Sequence, residues 1–209
     1  MTDDAPAARI GPLRPRRREE FEQMYVGTPP WDIGRPQPAF LALADAGLLS
    51  GKVLDVGCGT GEHVLLAAAR GLEATGVDLA ERAIAGAQEK GAARGLPARF
   101  LLWDALDLPG LGEEFDTVLD CGLFHIFEDS DRPRFVASVH EALRPGGRYF
   151  LLCFSDRQPG DWGPRRVTEA EIRANFAGGW RIDLLEPATI DVTLDPTGAR
   201  AWLAGMTRL

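Results

Sequence analysis

Cysteine is scarce and scattered. Only Cys58, Cys121 and Cys153 occur in 209 residues. No C-x-x-C pair exists to make a zinc ribbon or a redox dithiol, and an odd count builds no disulfide framework. No metal is therefore expected, and the three thiols read as small buried side chains. Histidine is equally rare. His63, His125 and His140 are the whole supply of side chains that titrate near neutral pH. No apolar run approaches the length of a bilayer span. The first residues, broken by Pro6, Pro12 and Pro15, have the pattern of neither a signal peptide nor an anchor. No membrane partner and a cytoplasmic setting are expected. Basic residues are outnumbered, 23 Lys and Arg against 31 Asp and Glu, for a formal net charge of -8. Such a surface repels phosphate backbones, so nucleic acid is not the expected partner. The basic cluster Arg14, Arg16, Arg17 and Arg18 reads as a solvated run.

What is present is the material of one large α/β domain. Hydrophobic residues make up 45% of the chain, enough for a sizeable core. Residues 1–16 read as a flexible tail, 17–209 as a single domain, and 25–38 as a lid. A helix is expected from about Arg17 to before Gly27, and another over 40–49, closed by Gly51. Strands then alternate with helices: strands at 52–56, 73–77, 98–103, 115–119 and 148–154, helices at 62–69, 80–94 and 132–143. Thr168 opens a further helix, with Glu171 completing a capping box. Late strands are expected at 180–186 and 201–207; the alternating stretch 189–194 between them has no firm place. Short apolar strands separated by helices indicate a mainly parallel, doubly wound sheet with helices on both faces. Ligands of such sheets sit beyond the C-terminal strand ends.

The most informative stretch is Val53-Leu-Asp-Val-Gly-Cys-Gly-Thr-Gly61. It reads as a buried strand, a turn with glycine at 57, 59 and 61, and the start of a helix. Glycine there permits a sharp turn and close approach of backbone to a ligand. A dinucleotide fingerprint would need its last glycine at position 62, which is Glu62. A glutamate at a helix N-terminus is a poor neighbour for pyrophosphate, so a cofactor without phosphates is expected. Asp55, Asp78, Asp104 and Asp120 stand at or near successive strand ends. Together they favour a cation over a polyanion. Asp78, about 20 residues past the turn, suits ribose hydroxyls. Asp104 suits an adenine amino group, or caps the segment after it.

These residues resemble the class I S-adenosylmethionine-dependent methyltransferases. The resemblance lies in VLDVGCGTG at 53–61, GVDLAERAI at 76–84, LLWDALDLP at 101–109, FDTVLDCGLFH at 115–125 and LRPGGRYFLLC at 143–153. It implies a Rossmann-like seven-stranded sheet of order 3-2-1-4-5-7-6 with the last strand antiparallel. It also implies S-adenosylmethionine as cofactor and S-adenosylhomocysteine as product. By that resemblance Asp55 sits by the methionyl part, Gly57, Cys58 and Gly59 pass beneath it, Gly61 belongs to the same cofactor-binding turn, and Cys121 contacts the amine through the backbone. Asp78 binds ribose, Leu79 lies beside adenine, and Asp104 with Ala105 reads adenine. Asp120 lines the same crevice.

Trp31-Asp-Ile-Gly-Arg-Pro-Gln-Pro38 resembles the W-D-x-G-x-x-x-P region of the thiopurine and small-molecule thiol methyltransferases, a group similar to bacterial heterocycle and quinone methyltransferases. The resemblance places Trp31 against the cofactor and implies a small-molecule acceptor, methylated on sulfur, nitrogen or oxygen. Asp32 beside it is a candidate catalytic residue. His125 is the candidate general base, or else packs against the next helix. Tyr25, Phe124, His125, Arg157, Trp162 and Arg165 are candidate acceptor-binding residues, the arginines for an anionic acceptor. A monomer or homodimer is expected. Two other readings stand beside this one. A nicotinamide oxidoreductase needs the glycine spacing that is missing, and a non-catalytic metabolite sensor would bind the cofactor without transfer.

Overall fold

The computed structural model describes residues 18–209. The expected tail and three arginines of the basic cluster lie outside the described residues. The first two helices are α1 (Arg18–Met24) and α2 (Pro38–Asp45), the latter opened by a proline at its first position. Then follow β1 (Lys52–Val56), α3 (Glu62–Ala69), β2 (Glu73–Asp78), α4 (Glu81–Arg94), β3 (Ala98–Leu102), β4 (Phe115–Cys121), α5 (Arg132–Ala142) and β5 (Leu143–Phe154). The chain closes with α6 (Glu169–Asn175), β6 (Trp180–Val192) and β7 (Asp195–Arg208). Thr168 and Glu171 form the expected capping box.

The seven strands form one sheet of order β3-β2-β1-β4-β5-β7-β6. The first five run parallel, and β7 is antiparallel to both β5 and β6. This is the topology that the resemblance implied. The strand period of two sorts side chains onto two cores. Val53, Leu119, Phe150, Leu152 and Phe154 join Phe40, Val64 and Leu65 on the side of α2 and α3. Leu54, Val56, Val118, Tyr149 and Leu151 join Phe135, Val139 and Ile172 on the side of α5 and α6.

The last two strands are longer than their apolar runs suggested. The stretch 189–194 is the far end of a hairpin, with Val192 paired to Asp195. β7 pairs with β5 only as far as Ala201 opposite Phe154. Residues 195–200 and their β6 partners therefore overhang the edge where the parallel strands end.

Close packing at the start of α3 is set by Gly61, at φ +85°. A Cβ there would lie 2.6 Å from Phe100 and 2.9 Å from Ala87. We expect Gly61→Ala to lower stability by about 2 kcal/mol or more, through a strained left-handed φ and overpacking. Urea unfolding measures this; a loss below about 0.5 kcal/mol would contradict the packing role.

Candidate active site

At the sheet centre β1 delivers its last residue into the turn 57–61. The Cys58 N–H donates to Val77 O at 2.9 Å, stitching the turn to β2. Asp78 completes the stitch. Its Oδ2 accepts from the Gly59 N–H and its Oδ1 from the Ala80 N–H, each at 2.9 Å. Burial raises the pKa of Asp78, while those two backbone donors pull the other way. A Cβ on Gly59 would lie 2.8 Å from the Tyr25 hydroxyl, so the backbone of the turn is approached closely from above.

Asp55 lies beneath the turn, 1% exposed, and neither carboxylate oxygen has a hydrogen-bond partner among the described residues. His63 Nδ1 stands 3.7 Å from its Oδ2. The Gln37 N–H donates to His63 Nε2 at 3.1 Å, so the neutral ring carries its hydrogen on Nδ1, the atom nearer Asp55. A buried carboxylate with spare acceptor capacity below a glycine turn fits a ligand with a cationic end. The methionyl ammonium of S-adenosylmethionine is such an end.

The 25–38 segment closes over this floor. Trp31 Nε1 donates to the Tyr25 hydroxyl at 3.1 Å, and the two rings meet edge to face at 6.3 Å. Burial, then the charge of Asp78, pushes the Tyr25 phenol well above its usual pKa. The segment is also strapped to the overhanging hairpin. Arg35 pairs with Asp191 at 2.7 Å, the Gln37 amide exchanges two hydrogen bonds with the Asp191 backbone, and Thr193 N–H donates to Pro30 O at 2.9 Å.

Between floor, segment and hairpin lies a cavity of about 390 Å³. Tyr25, Trp31, Asp32, Gly57, Cys58, Gly59, Gly61, Asp78, Leu79, Asp104, Ala105, Cys121, His125 and Trp162 all line it. Asp104 Oδ1 also caps the following turn by accepting from Leu106 N–H at 2.9 Å, the capping role expected as its alternative. The loop after β5 is held by Arg166, which donates to the carbonyls of Gln158, Gly160, Trp162 and Pro164 and lies over the Phe154 ring. That ordering brings Trp162 edge to face against Phe154 at 5.6 Å.

Several expected site residues are placed elsewhere. Asp120 shares a face with Val118, because the period of two turns it toward α5 and away from the crevice. Its carboxylate is fully buried. It accepts from the Tyr149 hydroxyl and the Leu123 and Phe124 N–H groups at 2.7–3.0 Å, and burial raises its pKa to about 7. Phe124 is core, packed among Phe135, Phe176 and the Arg132 guanidinium. Arg157 stacks on Trp202, and Arg165 is paired to Asp129 and Glu171; neither lines the cavity. Asp32 is an anchor and not a free catalytic group. It accepts from the Thr60 hydroxyl at 2.8 Å and from Gly34 N–H at 3.3 Å. The carboxylate of Glu62 is neutralised by Lys90 and Arg94 at 3.0 and 2.8 Å, so like-charge repulsion there is not what disfavours phosphate.

His125 is buried against Phe154, 7% exposed. Its Nδ1 accepts the Phe154 N–H at 3.1 Å, so the neutral ring carries hydrogen on Nε2, beside Gly122. Burial, with help from the charges of Arg132 and Arg166, lowers its pKa to about 3. Residues that motif spacing missed include Phe21, Ile33, Leu123, Ile190, Val192 and Leu194, all lining the cavity. The one signal for the last three was the alternation over 189–194.

Residues 53–147 match the family model described as a methyltransferase domain. The chain is 36% identical over 176 residues to a 2-heptyl-1-hydroxyquinolin-4(1H)-one methyltransferase of Mycobacteroides abscessus, covering 83% of this chain and 78% of that protein. It is 29% identical to a probable thiol methyltransferase 2 of Arabidopsis thaliana, over 70% of this chain and 66% of the relative. Among solved structures, one concerned with the conversion of a disulfide bond into a thioacetal group during echinomycin biosynthesis superposes with a TM-score of 0.83. It is 40% identical, covering 92% of this chain and 93% of that one. The chain belongs to the class I S-adenosylmethionine-dependent methyltransferases. It is an enzyme that transfers the methyl group of S-adenosylmethionine, leaving S-adenosylhomocysteine. The nicotinamide and sensor readings fall with that assignment.

Replacing Arg166 with Met keeps the stem over Phe154 and removes the donors that gather the loop. We expect amide exchange over 158–165 to quicken at least tenfold, with a stability loss of about 1–2 kcal/mol. Unchanged exchange would show that the loop is ordered by other contacts.

Proposed function

We propose that this enzyme methylates small acceptors that arrive already nucleophilic: thiolates, or ionised oxygen and nitrogen centres of heterocycles. The state of His125 carries this reading. An imidazole whose Nδ1 is spent on a backbone N–H and whose Nε2 bears hydrogen has no lone pair to take a proton. It can instead donate from Nε2 to an anionic acceptor atom, which positions the acceptor without acid–base exchange. The Tyr25 phenol, raised by burial, is no base near neutral pH either. The relatives fit: one is a hydroxyquinolinone methyltransferase and another a probable thiol methyltransferase.

When bound, S-adenosylmethionine supplies an electrophilic methyl carbon on a sulfonium. Asp78 would hold its ribose, Leu79, Asp104 and Ala105 its adenine, and the turn 57–61 with Asp55 and Cys121 its methionyl end. The 25–38 segment, with Trp31 over the turn, acts as the lid that excludes water. The chain's contribution to rate is then alignment of the nucleophile about 3–3.5 Å from the methyl carbon. The acidic balance of the chain supports a small molecule over nucleic acid as acceptor. Three free cysteines suit a reducing cytoplasm.

Labelled methyl transfer to a panel of thiols, hydroxyquinolones, phenols and aliphatic alcohols tests the reading. Turnover confined to the alcohols, which need a base, would overturn it. The pH profile sharpens the test. Because His125 takes up a proton only near pH 3, kcat/KM should follow the ionisation of the acceptor alone. From about pH 5 to 8 no second limb is expected. His125→Phe should lower kcat/KM about tenfold without changing the shape of that profile, as loss of one hydrogen bond to a charged atom predicts. A limb near pH 6.5 that vanishes in the variant would make His125 a base after all.

Asp78→Ala should weaken S-adenosylhomocysteine binding about 10- to 100-fold in titration calorimetry. Unchanged affinity would remove its ribose role.

A further inference from the structure

We infer that the overhanging end of the β6–β7 hairpin forms an apolar subsite for a hydrophobic extension on the acceptor. The inference rests on the small-acceptor reading above and adds what that acceptor must carry. β7 leaves β5 at the pair Ala201–Phe154, and its residues 195–200 continue beyond the ligand edge of the sheet. At about 3.4 Å per residue this wall stands roughly 15–20 Å above the strand ends. Its cavity side is Ile190 and Val192, with Leu194 at the turn. Ile190 belongs to the same apolar cluster as Phe154, with Cys121, Trp162 and Val192 packed against it. The wall is thus continuous with the place beside His125 where methyl transfer is proposed.

Exposure rises outward along this wall. Ile190 is 3% exposed, Val192 intermediate, and Leu194 55% exposed. The ionisable side chains lining the cavity include Asp78 and Asp104 at β2 and β3, Asp32, Glu62 and His63 around the turn, and His125 and Asp131 between β4 and α5; Arg35, beside the wall, is already paired to Asp191. An apolar channel open at its outer end fits an alkyl or aryl extension that enters from solvent.

The same tip holds the lid. Asp191 and Thr193, alternating with the cavity-facing residues, provide the bonds to Arg35, Gln37 and Pro30. An extension packed on Ile190 and Val192 would therefore bury its surface against the element that fastens the lid.

Thiophenol and its 4-propyl and 4-hexyl homologues test the subsite. Both kcat/KM and binding to the S-adenosylhomocysteine-loaded enzyme, read by tryptophan fluorescence, are measured. The hexyl chain should improve both by about tenfold or more over thiophenol. In Val192→Asp and in Leu194→Asp the hexyl-to-thiophenol ratio should fall to near one. Leu194 is exposed, so its replacement leaves the core untouched. A wild-type ratio near one, or a gain that survives both substitutions, overturns the subsite. If hexylthiophenol binds tightly, loses that tightness in the variants and yet no panel member is methylated, the subsite stands and the acceptor reading fails.

Discussion

The carboxylate of Asp78 is the joint on which the site is hung. By accepting the Gly59 and Ala80 N–H groups it binds the turn after β1 to the end of β2, and so fixes where the turn backbone lies. Tyr25 rests on that backbone and Trp31 rests on Tyr25. The 25–38 segment is thus seated on one end by the turn, through Trp31 and the Asp32–Thr60 bond, and on the other by the hairpin. Part-buried charge–dipole bonds of this kind are costly to break, because the carboxylate would lose its two backbone donors.

The cavity is chemically divided. Asp32, Asp78 and Asp104 line it around the turn and the strand ends, and Asp55 lies buried beneath the turn, behind the lining and short of partners. Apolar side chains of β5, the loop after it and the hairpin form the opposite part. Negative potential at one end suits a sulfonium and an ammonium. At the other end His125 lies beside the sheet edge, held neutral by burial and by the Phe154 N–H. Under the proposed function, catalysis there rests on alignment and exclusion of water more than on proton transfer.

Much of this was legible along the chain. The turn 53–61, the strand-end acids 78 and 104, and the capping box at Thr168 are local patterns, and local patterns are what sequence carries. The strand order was what the family resemblance of those motifs implied. Asp120 was misread because a strand-end position does not say which face a side chain takes; Tyr149, 29 residues away, shows that it faces the α5 side. His125 looked like a base because a free histidine titrates near neutrality. Its state is decided by the Phe154 N–H, again 29 residues away. Arg157 and Arg165 looked available because their partners, Trp202, Asp129 and Glu171, come from other elements.

Sequence alone therefore determined the cofactor class, since positive-φ glycines, a strand-end acid and their spacing act within one β–turn–α–β unit. Tertiary structure decided the acceptor end. There the strap between Asp191 and the 25–38 segment spans more than 150 residues. The wall at 190–194 acquires its role only when the hairpin outruns β5. Long-range pairing of this kind depends on which faces meet after the sheet assembles, and no spacing along the chain encodes it directly.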